Sequence, residues 1–495
     1  MMITLDGASL GVEALRRAAS GAPVAIAPGA RERMAAARAA IDHAIAARIP
    51  VYGVTTGLGA RASETLDAPT LAAFSLRTLR GRAQAVGPAE ETEVVRAAMV
   101  VRLNTLLPGH AGASVAVADH LLACLNAGLV PVVRRIGSIG PSDLVQNASL
   151  GLALTGEGRM EGPGGTGDAA EMMRAHGIAP LVPGPRDGLA LAGHCGLTVA
   201  TAALGLAEAE TAHAAAQTAA ALTLEAFRAN LSPIDPRALA VKPLPGQAGA
   251  ARDLAQRLEG SALWQAGQAR RLQDPLSIRN LVQINGALNL ALGQAREIVE
   301  IELNGASDSP IVLPDTGEVM SCGAFYTAEL GLVCETLTRA LVGVAMAQIA
   351  RMAKMLDPRF SDLPMFLARP ESGSNGFAPL MKTAEALVAE IAHAAQPPAI
   401  WPSLNANGVE DTLSTGPVAA RALRRAVAAF RTLVALALMV GVQACDMRGT
   451  LGTAAPFLRG RAAHLRTLSE PLADDRPLGD DIDRIDRAIA SGAFG

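Results

Sequence analysis

Seven side chains stand in contexts that could support chemistry: Tyr52, Arg82, His194, Arg279, Asn304, Lys382 and Glu410. They offer a phenol, an amine and a carboxyl that can move protons, two guanidinium groups and an amide that can hold an anion, and one imidazole. Tyr52 lies in Pro50-Val51-Tyr52-Gly53-Val54-Thr55-Thr56-Gly57-Leu58-Gly59, a glycine-rich loop, and Tyr326 is the only other tyrosine. The plain alternative is a tyrosine packed at a turn. Gly57-Leu58-Gly59-Ala60-Arg61-Ala62 lacks the strand–helix–strand setting of a dinucleotide site. Arg82 is either an anion contact or an ordinary exposed helix residue. His194 either faces a site or is a satisfied core histidine. For Arg279 the competing reading is a structural ion pair, and for Lys382 an exposed helix lysine. No CxxC or HExxH spacing suggests a metal.

These residues must be positioned by helices. The chain has 495 residues, half of them hydrophobic, with abundant alanine and 3% aromatics, so a mainly α fold is expected. Helical patterns run at about 68–84, 88–107 and 112–129. The stretch from 187 to about 230 reads as one long helix or two in line. Others follow at 272–302, from 325 to about 355, up to about 395, and over 412–445. The last fifty residues read as polar and loop-rich, and Glu161 to Gly167 as a connection. This predicts an N-terminal, mostly helical domain at 1–186, a long-helix bundle at 187–445 and a tail at 446–495.

A formal charge of −3 implies no basic face, which argues against a nucleic-acid partner. The cysteines Cys124, Cys195, Cys322, Cys334 and Cys445 are odd in number and scattered, as reduced thiols in a cytoplasm would be. The N-terminus carries no basic-then-apolar signal. The uncharged run from Thr432 to Cys445 is too short for a bilayer, so no membrane partner is expected.

The central stretch is Gly137-Ser138-Ile139-Gly140-Pro141-Ser142-Asp143-Leu144, followed by Leu150-Gly151-Leu152-Ala153-Leu154. It resembles the cofactor-forming segment of the aromatic amino-acid ammonia-lyases, the histidine and phenylalanine ammonia-lyase family. There, Gly-Ser-hydrophobic-Gly precedes Ala-Ser-Gly and then Asp-Leu, and Ala-Ser-Gly cyclises into an electrophilic methylidene-imidazolone. Here Pro141-Ser142-Asp143 stands in that place, one residue short. Ring closure crowds a backbone nitrogen against the carbonyl two residues back, which a residue without Cβ allows most cheaply. Asp143 has a Cβ, and Pro141 has a locked φ. The expectation is therefore a ring-less protein with no cofactor.

The resemblance runs from about residue 50 to 445 and implies roles for individual residues. Tyr52 matches the family's loop tyrosine, a base over the active site. Gln273-Asp274-Pro275-Leu276-Ser277-Ile278-Arg279 is similar to Gln-Asp-x-Tyr-Ser-Leu-Arg, which implies that Arg279 grips a substrate carboxylate. Leu276 replaces a tyrosine. Glu302-Leu303-Asn304 with Asp308 and Pro310 matches a further motif and implies that Asn304 lies near the ligand. Gly81-Arg82 stands where the family has Ser-His, and Gly193-His194-Cys195 where it has Asn-Gly-Thr. Ser403 to Asp411 matches Asn-x-Glu-Asp at Glu410-Asp411, with one extra residue. The implied fold is the family's bundle of long helices, assembled as a homotetramer whose sites draw on three chains.

A missing ring constrains the reaction. The ring activates a poor leaving group by bonding the substrate nitrogen, and a quaternary nitrogen needs no such help. A base without the ring therefore points to a small-molecule betaine. The chain resembles the family's ergothionase branch, which releases trimethylamine from ergothioneine. That branch carries a lysine and a glutamate for the thioimidazole, where Lys382 and Glu410 stand. The resemblance implies a carbon–nitrogen lyase giving thiourocanate. A different betaine such as hercynine, or a non-catalytic relative, remains open.

Overall fold

The computed structural model describes residues 2–370, 373–398 and 405–495 and is mainly α-helical. The described strands are two to four residues long and form only two- and three-stranded sheets. The composition explains this balance, since alanine and leucine favour helix and aromatic strand formers are few. The expected helices are present as Ala68–Arg82, Thr92–Leu106, Val115–Asn126, Leu281–Asn304, Ala328–Leu356 and Gly416–Arg448. The stretch after 187 is two helices, Asp187–Ala192 and Gly196–Phe227, broken at Gly193-His194-Cys195.

The chain divides into two compact units, each drawn from three stretches. The first comprises Met1–Leu204, Arg296–Cys334 and Pro398–Arg421; the second comprises Gly205–Ala295, Glu335–Pro397 and Ala422–Gly495. In the first, Thr92–Leu106 is central, with 13 of its 15 residues buried. It packs against Val12–Ala19 and Val115–Asn126. Beside it, Ala68–Arg82, Leu144–Leu154 and Asp187–Ala192 pack on one another as a triad. Gly188 permits the closest approach, because a Cβ there would lie 2.3 Å from the Ser75 carbonyl oxygen.

Charge also ties this unit together. Arg102 and Asp308, each 1% exposed, form a two-bonded ion pair at 2.9 and 2.8 Å. Arg102 also donates to the Ala190 carbonyl. Arg186 lies 3.5 Å from the same carboxylate and donates to Ala111 and Pro310.

In the second unit, Gln348 donates to the Leu433 carbonyl at 3.0 Å, and Arg424 pairs with Glu208 at 2.8 Å. Two parts of the chain differ from the expectation. The final fifty residues contain the helices Pro456–Leu468 and Gly479–Ala490. Their polar composition hides apolar stripes, with Leu458, Ala462 and Leu465 buried on one and Ile485 and Ile489 on the other. In the first unit, Glu161 to Gly167 belongs to a tight hairpin, Arg159–Gly162 paired with Gly165–Asp168.

Three helical stretches, Asp187–Phe227, Ala328–Leu356 and Gly416–Arg448, are long and apolar enough to cross a membrane. Their most apolar windows are 94%, 50% and 78% buried within the protein. None of the five cysteines is in a disulfide.

Removing the shared carboxylate strands two buried guanidinium groups. Asp308→Ala is expected to cost about 3–5 kcal/mol in urea unfolding. A loss below about 1 kcal/mol, the scale of an exposed pair, would show that the cluster does not hold the unit together.

Candidate active site

The loop carrying Tyr52 is built from its own hydrogen bonds. The amides of Val54, Thr55 and Thr56 all donate to the Val51 carbonyl, and Thr55 Oγ1 accepts from the Val51 amide while donating to Ile49. Gly57 and Leu66 bond across to Glu64 and Thr55. Tyr52 itself is 38% exposed, and its Oη accepts the Gly59 amide at 2.9 Å.

This loop forms one wall of a cavity of about 350 Å³. The helix triad contributes Arg82, Leu144 and Leu189 to the lining, and the segment at 405–410 contributes Glu410. Arg82 closes the helix Ala68–Arg82 and is half-buried, and its guanidinium forms no hydrogen bond or ion pair among the described residues. Burial lowers its pKa from the usual arginine value, while the negative charges of Tyr52 and Glu410 raise it. The Glu410 amide donates to Asn405, and Ala406 and Asn407 between them adopt positive φ. Phenol, guanidinium and carboxyl thus share one small space, an arrangement suited to proton transfer beside an anion.

The central turn lies at the start of Leu144–Leu154 and is held from several sides. Asp143 is 1% exposed; its amide donates to the His194 carbonyl at 2.9 Å. Its carboxylate accepts the Thr198 amide at 2.8 Å and hydroxyl at 2.6 Å. Burial raises its pKa. Ser142 has φ 55° and donates its amide to Phe325. Gly140 has φ 108°, and a Cβ there would lie 2.2 Å from Ser414 Oγ. Glu302 is pushed up to about 7 by burial and then by the charges of Glu329 and Asp143.

The remaining candidates are not among the lining residues of this cavity. His194 is 1% exposed; its Nε2 donates to Leu191 and its Nδ1 accepts the Gly196 amide. It is a satisfied core histidine that holds the break between two helices, and burial takes its pKa well below the usual value. The Asn304 amide is committed to both the Leu10 amide and carbonyl, with further bonds to Asn104 and Glu300. Arg279 and Lys382 belong to the second unit. There Arg279 donates to Gln273 at 2.7 Å, and Lys382 is exposed on Ala378–Ala394. Ser403 and Leu404, at the start of the Asn-x-Glu-Asp match, lie outside the described residues. Sequence reasoning missed Leu144, Leu189 and the Gly59 amide, since apolar wall residues and backbone donors carry no chemical signature.

A mostly helical chain with this turn and tyrosine loop has clear relatives. Residues 10–467 match the aromatic amino acid lyase family, and the chain belongs to that family of lyases. It is 34% identical to histidine ammonia-lyase of Anaeromyxobacter sp. (strain K), over 99% of each chain. It is 37% identical to that of Streptomyces griseus, covering 95% of this chain and 93% of the relative. Among solved structures it is similar to ergothionase from Treponema denticola, an ergothioneine-degrading enzyme crystallised with desmethyl-ergothioneine sulfonic acid. That match has TM-score 0.93 and 27% identity, and covers 100% of this chain and 99% of the other. Histidine ammonia-lyase from Trypanosoma cruzi matches with TM-score 0.92 and 29% identity, covering 100% and 94%.

Gly140→Ala combines left-handed strain with collision against Ser414, so a loss of about 2 kcal/mol or more is expected in thermal unfolding. Gly81→Ala, with nothing within 4 Å of the added carbon, is the control and should not destabilise. Equal stability of the two variants would show that the turn can move away from Ser414.

Proposed function

We propose that the chain is a cofactor-independent carbon–nitrogen lyase that eliminates trimethylamine from a histidine-type betaine, with ergothioneine going to thiourocanate. The observation that carries this reading is Pro141-Ser142-Asp143 in place of the ring-forming triad, beside a Tyr52 loop that faces a cavity. The residues present do not fit a methylidene-imidazolone. The segment is one residue short, and Asp143 bears a Cβ. The Asp143 nitrogen that would attack already donates to His194, and its side chain is fixed on Thr198. The histidine ammonia-lyase names of the curated relatives suggest histidine, but its amine is a poor leaving group without that electrophile. The likeness to ergothionase, a protein named for degrading ergothioneine, supports the betaine.

In the proposed reaction Arg279 holds the carboxylate. Lys382 and Glu410 hold the thioimidazole and draw electron density from the β-carbon. The Tyr52 phenolate takes the β-proton, the Cα–Cβ double bond forms, and trimethylamine departs with the electrons of the broken C–N bond. Arg279 and Lys382 reach the site from other subunits of a homotetramer. Exposed apolar side chains on the long helices, including Leu332 and Met346 on Ala328–Leu356, offer surface for that assembly. Asn304, expected from the family match near the ligand, also bonds the Leu10 amide and carbonyl.

The deciding experiment incubates the protein with ergothioneine, hercynine and histidine and assays trimethylamine and ammonia. Trimethylamine from ergothioneine is expected; ammonia from histidine alone would overturn the reading. Intact mass should equal that of the encoded chain, whereas a two-water deficit in the Ser142 peptide would reveal the ring. Tyr52→Phe should lower turnover far more than affinity, because the base acts in the transition state. Lys382→Met should harm both. Inactive Tyr52→Phe and Arg279→Met chains, mixed and reassembled, should recover part of the activity; a fully active monomer would exclude shared sites.

A further inference from the structure

Glu410 stands on a wall of the cavity that has little burial of its own. From Asn405 to Thr412 every residue is exposed or half-buried, and Val409 is 65% exposed. The amides of Val409 and Glu410 bond back to Ala406 and Asn405, which shapes the turn without tying it to its surroundings. On one side the turn Asn405–Gly408 packs against Gly59–Arg61 of the tyrosine loop. A carboxylate that meets a ligand at fixed geometry needs a firmer support than this. That support comes from the next residues of the chain. Tyr326 Oη donates to the Leu413 carbonyl at 2.6 Å and lies 3.1 Å from Thr412 Oγ1. Beside it, Thr327 Oγ1 and Ser414 Oγ are 2.9 Å apart, and Ser414 is buried. Tyr326 is fixed in turn by the central turn. Its backbone forms an antiparallel bridge with Pro141. The preceding carbonyl, of Phe325, accepts the Ser142 amide at 3.0 Å and the Cys195 thiol at 3.1 Å.

We propose that Tyr326 is a positioning residue for Glu410. Its hydroxyl clasps Thr412 and Leu413 to the central turn and so sets where the carboxylate stands in the cavity. The proposal rests on the reading of Glu410 as a substrate contact and adds the residue that places it. Tyr326 is not among the residues that line the cavity, so it acts through the chain at 412–413 and not on the ligand. A hydroxyl at 2.6 Å from a carbonyl is a committed donor, which suits a strut and not a base. The two tyrosines of the chain thereby divide the work, Tyr52 facing the cavity and Tyr326 holding a wall of it. The turn at Pro141-Ser142-Asp143, without a ring, serves as the base on which the clasp bears.

Tyr326→Phe removes the donor and leaves the ring. In the full-length chain, amide hydrogen exchange over residues 405–413 should quicken several-fold, while the buried helix Thr92–Leu106 exchanges as before. With ergothioneine, kcat/KM should fall roughly 5-fold or more, with KM raised as well as turnover lowered, because Glu410 is read as a contact in both ground and transition state. On a Glu410→Gln background the same substitution should change kcat/KM by less than about two-fold, since the group it places is already altered. Unchanged exchange over 405–413 in the folded variant overturns the proposal whatever the substrate is. So does an unmoved kcat/KM in a chain that turns over ergothioneine. So does an equal loss on the Glu410→Gln background, which would place the effect elsewhere in the site. If Tyr326→Phe does not fold, Thr412→Val takes away the other side-chain partner of the same hydroxyl and must show the same quickened exchange. The exchange measurement needs no substrate, so its result is independent of the reaction assay. Quickened exchange in a chain that acts on no betaine upholds the clasp and removes the proposed reaction. Trimethylamine release with unchanged exchange removes the clasp and leaves the reaction.

Discussion

The first unit depends on one carboxylate shared between two guanidinium groups. Asp308 follows the long helix Leu281–Asn304, Arg102 lies on the buried helix Thr92–Leu106, and Arg186 enters the helix Asp187–Ala192. Arg102 also reaches Ala190, next to the cavity residue Leu189. Two residues past that helix, the His194 carbonyl receives the Asp143 amide. The register fixed at Asp308 is therefore passed through one short helix to both the cavity wall and the central turn. Apolar packing alone could give similar stability, but it tolerates small slips that a two-bonded, fully buried pair does not.

On that frame, the cavity gathers groups that differ in charge and in origin. Tyr52 comes from a self-bonded loop, Arg82 from a helix end, and Glu410 from a segment with left-handed backbone. Each is fixed by a different part of the first unit, so their mutual placement is a property of the fold rather than of any one motif. The central turn contributes differently. Asp143 is consumed in holding Thr198 and His194, and Ser142 in holding Phe325, which leaves the turn structural support on every side.

Much of the helical architecture was legible because alanine and leucine periodicity dominates local choice, and proline and glycine mark the breaks. The C-terminal helices escaped notice because charged residues crowd the buried stripes of Leu458, Ala462, Leu465, Ile485 and Ile489. In the cavity, Tyr52 and Glu410 could be found from motif spacing. Arg82 could not be placed, since a residue at the end of a helix can turn either way and sequence does not say which. His194 and Asn304 show the opposite limit. A motif position tells which residue type is present, but not that both faces of its side chain are already spent on backbone groups.

The committed ring of His194 has a further physiological consequence. It is neutral inside the protein, as are His120 and His213, all three held below the usual histidine pKa chiefly by burial. Unfolding releases these imidazoles to water, where they titrate near 6.5. As pH falls below that value the unfolded chain takes up protons that the native form refuses, so folding loses free energy through mild acid. Asp143, Glu225, Asp274 and Glu302, all raised chiefly by burial, pull the other way, because a carboxyl held protonated in the native form favours that form on the acid side. The protein thus carries an internal proton balance in which three imidazoles stand against four raised carboxyls.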